Sequence, residues 1–384
     1  MPTPKPDKIR LVVLFGGRSA EHDVSCVSAR HVLAAVDPRR YDVEPIGITR
    51  DGEWVLAEDA MKALAEGAAS LPERLTARGP EVDALPLLAN PGASATSSPT
   101  VVLPVLHGPM GEDGTMQGLL ELAGVPYIGA GVLASALCMD KVKAKIHLAA
   151  HGIPQGRFRW LTVDADEFGG VRGADGSPST VADEVAAAIA ELGLPLFIKP
   201  ANMGSSVGVS RATTAAEAAA AVELAASYDR EVVIEEEIIG RELEISVMGN
   251  EDPVASTAGE IIPGAAFYDY ADKYEDGARR LIPAPLEADE LAEMQRLAIA
   301  TYRALGVEGL GRVDFFHETD GKGGGAGRGW LVNELNTMPG FTPISMYPEM
   351  WAAVGVDYPT LIDRLVDLAL ARHRRQQSHT RTDH

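Results

Sequence analysis

Residues 331 to 340 read LVNELNTMPG, an apolar strand that ends in two polar residues, Glu334 and Asn336, just before a Thr-Met-Pro-Gly turn. In an extended chain alternate side chains share a face. Val332, Glu334 and Asn336 are therefore predicted to point one way, and Leu331, Asn333 and Leu335 the other. Taken alone, the stretch is equally an edge strand with solvated polar residues or the wall of a site. Upstream, GRVDFF at 311 to 316 alternates in the same way, with Arg312 and Asp314 on one face and Val313 and Phe315 on the other. The segment between them, ETDGKGGGAGRG, reads as a hairpin tip, and the hairpin would bring Asp314 beside Glu334 and Asn336. Three hard oxygen donors gathered there suit Mg²⁺, which prefers octahedral oxygen and usually bridges carboxylates to nucleotide phosphates. A salt bridge between Arg312 and a neighbouring carboxylate is the competing use of the same side chains.

The rest of the chain narrows the class. It has 384 residues, 46% hydrophobic and 23% charged, enough for two or three domains with cores of their own. A formal net charge of -21 argues against a general nucleic-acid or membrane-surface binder, so an anionic ligand needs locally placed cations. Cys26 and Cys138 offer no disulfide framework and no metal-ligand spacing, as expected of core residues in a reducing cytosol. The apolar run near the start breaks at Gly16-Gly17 and meets Arg18, Glu21 and Asp23, unlike a secretory signal. No apolar run has the length of a membrane span.

Strand-like and helix-like segments alternate in the first third: IRLVVLFGG, a helix over about 19–35, YDVEPIGI, then TVVLPVLHG. That rhythm predicts a parallel α/β domain over 1–133. A second, smaller domain over 134–230 is predicted from a helix through Ala150, a Gly-rich irregular stretch at 169–178, a helix near 183–192 and the strand LPLFIKP. A third, over 231–372, holds the strands EVVIEEEIIG and RELEISVMG, a helix near 288–305, and the two strands already described. Its alternating strands predict antiparallel pairing. Residues 373–384 read as a disordered tail.

Other segments bear on ligands. LFIKPANMGSSVGVS ends a strand at Lys199-Pro200 and continues into a small-residue loop, whose backbone N–H groups can approach phosphate oxygens beside the Lys199 charge. The loop is neither a Walker loop nor a dinucleotide fingerprint, and an ordinary turn is the competing reading. Lys141 in CMDKVKAK is by default a solvated helix lysine. In VLHGPMGEDGTMQG a buried-looking strand ends at His107, where α/β domains bind ligands, though a lone His is more often a satisfied core residue. LFGGRSAEHDVS has the strand-Gly-Gly-helix form, with Glu21 in the first helical turn, where it also suits the helix dipole.

In this order GGRSAEHDVS, HGPMGEDGTMQG, YIGAGVLASALCMDK, KPANMGSSVGVS, FYDYADKY, GLGRVDFF and NELNTMPG resemble the D-alanine:D-alanine ligase family of the ATP-grasp superfamily, from about Lys8 to Ala371. One departure stands out: the connection HETDGKGGGAGRGW is longer than the family pattern. The resemblance implies an α/β, three-domain ATP-grasp fold, with an N-terminal parallel α/β domain and two α+β domains enclosing ATP. It implies ATP-dependent joining of two D-alanines through a D-alanyl phosphate for peptidoglycan precursors. A cytoplasmic homodimer is implied too, with no nucleic acid or membrane as partner. Residue by residue, Lys141 and Lys199 would contact phosphates, Glu235 and Ile238 the adenine, and Glu242 the ribose. Ser205 and Ser206 would close over the phosphates. Asp314, Glu334 and Asn336 would hold Mg²⁺, with Mn²⁺ as an alternative ion. Glu21 would bind the first D-alanine's ammonium, with His107 near its carboxylate. FYDYADKY would form a lid, Lys273 reaching the transferred phosphate and Tyr274 linking to Ser205 and Glu21. Arg312 and the Gly340 N–H would receive an oxyanion, and Ser345 the second substrate's carboxylate. A D-lactate or D-serine acceptor is the near alternative, the first disfavoured by Tyr274.

Overall fold

The protein is described from a computed structural model, over residues 8–84, 99–164, 170–204, 206–262, 279–321 and 325–379. The first sheet has the order β3-β2-β1-β4, with β1 (Ile9–Gly16) between β2 (Tyr41–Ile48) and β4 (Thr100–Pro104) in parallel and β3 (Trp54–Leu56) antiparallel at the edge. Alternation along β1 feeds two cores. Leu11, Val13 and Phe15 enter one with Ala29 and Val32 of α1 (His22–Ala35), whereas Val12 and Leu14 enter the other with Leu120 of α3 (Thr115–Leu122). Both faces are covered, as a parallel sheet requires. The short α2 (Glu58–Glu66) packs beside β2.

The helix predicted through Ala150 is two helices, α4 (Val132–Met139) and α5 (Lys141–Ala150). Asp140 breaks it: its backbone is extended and its side chain accepts from the Lys143 N–H at 2.9 Å, the N-cap arrangement that starts a new helix. Lys141 thereby becomes the first residue of α5. Ala134, Cys138 and Leu148 pack with Leu243, Ile245 and Val313, so these helices join the core of the third sheet rather than the second.

The second sheet runs β7-β6-β5-β10-β8-β9, made of β5 (Phe158–Val163), β6 (Val171–Arg172), β7 (Pro178–Ser179), β8 (Leu196–Pro200), β9 (Ser210–Ala212) and β10 (Glu231–Glu236). Helices α6 (Val181–Leu192) and α7 (Ala215–Ala226) cover one face. The segment EVVIEEEIIG, expected to open the third domain, instead supplies β10 at the middle of this sheet, antiparallel to both β5 and β8. Val232 and Ile234 place it there by entering the core with Leu161, Ile198 and Val222.

The third sheet is antiparallel throughout, as predicted, in the order β13-β12-β11-β14-β15. Its strands are β11 (Arg241–Gly249), β12 (Val254–Ile262), β13 (Arg279–Leu281), β14 (Gly309–Gly321) and β15 (Gly325–Asn336), with α8 (Ala288–Ala304) against it. Helices α9 (Met346–Ala352) and α10 (Tyr358–His379) return to the first domain, where Tyr347, Trp351, Leu361 and Leu365 share a core with Leu11 and Phe15. The tail expected to be disordered from 373 is helical through His379. Buried Arg372 donates to the Gly129 carbonyl and, at 2.8 Å, to that of Tyr127, and Arg375 pairs with Glu251 and Glu308, which ties the last turns down. Among the described residues no helix is long and apolar enough to cross a membrane. Cys26 and Cys138 are buried free thiols, as expected.

Candidate active site

A cleft of about 1140 Å³ is lined by α1 and loops of the first domain and by residues from the second and third sheets. Its walls include Glu21 and His107 from the first domain, Lys141, Lys199, Ser206, Glu235, Ile238 and Glu242 around the second sheet and its exit, and Arg312, Asp314, Glu334, Asn336, Gly340 and Ser345 from the C-terminal part. Every anticipated site residue within the described stretches therefore borders one space. Ser205, Lys273 and Tyr274, with the anticipated lid at FYDYADKY, lie outside the described residues.

One wall is the hairpin of β14 and β15. Asp314 faces Glu334 and Arg312 faces Asn336 across the ladder. Strict alternation fails one step further: Phe315 pairs with Val332, so Asn333 is an extra residue. That bulge turns Val332 into the core with Phe315 and Trp330 instead of leaving it on the face of Glu334. Arg312 answers the competing reading in part, since its fork donates to both Asp314 oxygens at 2.7 Å and it pairs with Glu244 at 2.9 Å. Despite its burial, Asp314 and Glu244 hold the Arg312 guanidinium well above the ordinary arginine value. The Asn336 amide donates to Asp314 at 3.2 Å.

Among the described residues no three His, Cys, Asp or Glu side chains cluster as a metal site by themselves. Two facing carboxylates and a carboxamide bonded to one of them are nonetheless a hard-oxygen donor set. Mg²⁺ commonly takes one or two carboxylates and completes its shell with phosphate oxygens and water, so the residues present fit that ion.

Cations gather opposite. Lys199 contacts Glu235 at 2.6 Å and Lys145 contacts its other oxygen at 2.9 Å, all three nearly buried. Burial would raise the Glu235 pKa, but the two ammonium groups outweigh it and bring the carboxyl down to about 2 from 4.5. The Glu235 carboxylate, anticipated at an adenine edge, is thus engaged by lysines. Burial likewise opposes the charge of Lys199, yet Glu235 keeps its pKa above the usual lysine value. Lys141, whose Nζ donates to the Met203 carbonyl at 2.5 Å, is shifted down by burial, with Lys199 adding to the effect and Glu334 only partly offsetting it. An incoming polyanion would add to the counter-charge that Glu334 provides. Burial raises the Glu242 carboxyl, which Lys199 counters.

A pH consequence follows for Glu235. Its folded pKa is depressed, so the stability it contributes is complete above about pH 4.5 and is lost as pH falls toward 2. Lys145→Met should raise that folded pKa, move acid unfolding to higher pH, and cost about 1 to 3 kcal/mol at neutral pH. Circular dichroism against pH checks this; an unchanged acid midpoint would contradict the pairing.

On the far side, Glu21 is the residue before α1, and its backbone N–H donates to Ser19 Oγ at 3.2 Å. Gly108 has φ +76°, and a Cβ there would stand 2.9 Å from the Glu21 Oε2, so only glycine lets this loop pass so close. A Cβ on Gly204 would lie 3.4 Å from the same oxygen, which brings the small-residue loop of the second domain to Glu21. The His107 ring bonds the Met338 carbonyl at 3.0 Å and its own carbonyl accepts from Ser19 Oγ at 2.7 Å. Ser345 Oγ lies 2.8 Å from Thr342 Oγ1, and Gly340 abuts it.

Sequence reasoning missed Lys145, Glu244 and Glu112. Lys145 could have been found from its spacing, since Lys141 and Lys145 are four apart on α5 and share a face. Glu244 alternates with Glu242 on β11 and is the ladder partner of Asp314. Glu112 accepts from the Gly108 N–H at 2.6 Å and holds the His107 loop.

Comparison with known proteins adds a consistent picture. A model of the D-ala D-ala ligase N-terminus matches residues 10–130, and one of the D-ala D-ala ligase C-terminus matches residues 151–367. The chain is 48% identical to a D-alanine–D-alanine ligase of Mycobacterium sp. (strain JLS), covering 95% of this chain and 97% of that one. It is 47% identical to the enzyme of that name from Kineococcus radiotolerans, over 96% and 98% of the two chains. Among solved structures it resembles the D-alanine–D-alanine ligase from Coxiella burnetii, with a TM-score of 0.78, 34% identity and 97% of each chain covered. It also resembles the VanG D-Ala:D-Ser ligase from Enterococcus faecalis, with a TM-score of 0.75, 34% identity, and 94% of this chain and 99% of that one covered.

Proposed function

This chain belongs to the D-alanine–D-alanine ligase family, and on that premise we propose that it joins two D-alanines into D-alanyl-D-alanine at the expense of ATP, for peptidoglycan precursor synthesis. The observation that carries the reading is the single cleft, in which side chains suited to a nucleotide, a divalent ion and two amino acids border one space.

Chemistry dictates the order of events. A carboxylate is a poor acyl donor because its leaving group is oxide, so the first D-alanine must be activated as an acyl phosphate. The γ-phosphorus–oxygen bond of ATP breaks, a bond from the D-alanine carboxylate oxygen to phosphorus forms, and ADP leaves. Phosphoryl transfer is mostly positioning and charge neutralisation, roles we give to Lys141 and Lys199, with Ser205, Ser206 and Lys273 closing on the phosphates. Glu242 would take the ribose hydroxyls. The base would lie against Ile238, with the main chain near Glu235 rather than its lysine-bound carboxylate meeting the adenine edge. Asp314, Glu334 and Asn336 would hold Mg²⁺ or Mn²⁺, which when bound draws charge from phosphate oxygens.

Glu21 would bind the ammonium of the first D-alanine, with His107 beside its carboxylate, and Ser345 would receive the carboxylate of the second. The neutral amine of that second D-alanine attacks the acyl carbon, and Arg312 with the Gly340 N–H would stabilise the oxyanion before phosphate departs. We give Tyr274 the link from the lid to Ser205 and Glu21, which excludes water from the acyl phosphate. The working form is proposed as a homodimer, in the cytoplasm where ATP is supplied.

ADP release assayed with D-alanine, L-alanine, D-serine and D-lactate, with product masses, tests the assignment. D-alanine should support turnover and yield the dipeptide. A dominant mixed product with D-serine or D-lactate would move the enzyme to another acceptor, and release independent of any D-amino acid would overturn it.

A further inference from the structure

The long Gly-rich segment that reads as a hairpin tip is, over most of its described residues, paired strand of β14 and β15. Asp320 faces Ala326 and Glu318 faces Gly329, with a shift of register between them. Near that shift the two main chains press together: a Cβ on Gly327 would stand 2.0 Å from the Glu318 carbonyl oxygen. Any side chain there would force the strands apart, so the glycine allows an unusually close pairing.

That pairing aims Arg328. Its Nε and one terminal nitrogen donate to the two oxygens of Glu318 at 2.6 and 2.9 Å, and its backbone N–H donates to the same carboxylate at 3.1 Å. The remaining terminal nitrogen reaches across to Glu236 at 2.5 Å. Glu236 is the last residue of β10, in the second sheet, and its side chain is only 3% exposed. Arg157, from the same sheet region, grips Glu236 from the other side. Its Nε and a terminal nitrogen donate at 2.9 and 2.7 Å, its backbone N–H donates at 2.8 Å, and a further nitrogen reaches the Glu191 carbonyl at 2.9 Å. One buried carboxylate is therefore shared by guanidinium groups from two domains.

Position gives the contact its meaning. Glu235, one residue earlier, holds Lys199 and Lys145. Ile238, Ile239 and Gly240, immediately after, line the cleft on the crossing from β10 to β11. Burial alone would raise the Glu236 pKa, but Arg157 and Arg328 outweigh it and keep the carboxyl low. The charge thus persists at neutral pH, balanced by both guanidinium groups.

We propose that Arg328 is a positioning residue, a latch that ties the β14–β15 hairpin to Glu236 and so fixes the nucleotide wall of the cleft between the second and third sheets. The proposal rests on the ligase reading for the identity of the nucleotide. Arg328 touches no substrate; it acts through Glu236 on the neighbouring residues that would meet adenine and phosphate. Lysine does not reproduce its fork, because it presents one compact ammonium where the guanidinium spreads three separate nitrogens between Glu318 and Glu236.

The test uses the full chain with Arg328→Ala and Arg328→Lys, measuring KM for ATP, KM for D-alanine, kcat and, by calorimetry, the Kd of ADP. Arg328→Ala should weaken ADP binding and raise KM for ATP by roughly 5- to 50-fold, with kcat and KM for D-alanine within about twofold of wild type, as expected of a coupling confined to one ligand. Arg328→Lys, which keeps the charge and guards against a misfolded alanine variant, should fall between. Unchanged ADP affinity in both variants overturns the latch. So does a joint rise of both KM values with loss of thermal stability, which marks a merely structural role. If wild type fails to release ADP with D-alanine the ligase reading falls, while the ADP titration still reads the latch.

Discussion

Glu334→Gln should reduce ligation by about a thousandfold or more while leaving the far-UV spectrum and thermal midpoint close to wild type. The residue sits at the end of β15 facing Asp314, and the change removes one full negative charge while keeping size and shape. A site that stabilises developing charge through fixed groups typically loses a factor of about 10² to 10³ with each, and a carboxylate that orients a divalent ion bears on both the ion and the phosphates it touches. A second effect runs through Lys141, whose charge Glu334 helps to maintain against burial. Without that carboxylate Lys141 titrates still lower, and the phosphate contact weakens further. Turnover measured over a Mg²⁺ titration separates the causes: partial recovery at high Mg²⁺ reports weakened ion binding, and near-normal turnover at saturating Mg²⁺ would sink the assignment of Glu334.

Arg312→Met should be damaging in two separable ways. Arg312 is buried and holds Asp314 with a two-bond fork and Glu244 with a third contact. Removing it leaves buried Glu244 and half-buried Asp314 facing each other across β11 and β14, and breaking such a pair costs about 3 to 5 kcal/mol when the remaining charge is uncompensated. The same change removes the proposed oxyanion donor, worth a factor of about 10² to 10³ in kcat. The double variant Arg312→Met with Glu244→Gln separates them. It should recover part of the thermal stability, since one orphaned charge is gone, and none of the activity. Recovery of both would make Arg312 a purely structural residue, and a single variant with near wild-type kcat would exclude it from the chemistry.

The parts of this site that were legible in the sequence are those carried by short-range geometry. Period-two alternation in GRVDFF and WLVNELN, with a Gly-rich segment between, is enough to pair Asp314 with Glu334, because strand faces and a hairpin leave little choice of register. What alternation could not reveal was the extra residue Asn333, since a bulge depends on which apolar side chain the core admits, and here Val332 goes in with Phe315. The placement of β10 was misread for a similar reason. Its acidic end and its continuity with β11 suggested one domain, whereas Val232 and Ile234 commit it to the second sheet. Lys145 escaped notice because a helical lysine is ordinarily solvated; only the fold buries it against Glu235. The helical end of α10 depends on partners far away in sequence, Gly129, Glu251 and Glu308, which no local pattern announces.

The central claim is that a D-alanine carboxylate attacks ATP and returns as an acyl phosphate before the second amine attacks. Running the reaction with D-alanine labelled with ¹⁸O in its carboxylate, and analysing the released phosphate by mass spectrometry, tests it directly. The account predicts one carboxylate-derived ¹⁸O in inorganic phosphate for each dipeptide formed, with ADP as the nucleotide product. Phosphate carrying no label, or pyrophosphate released with AMP, would contradict it.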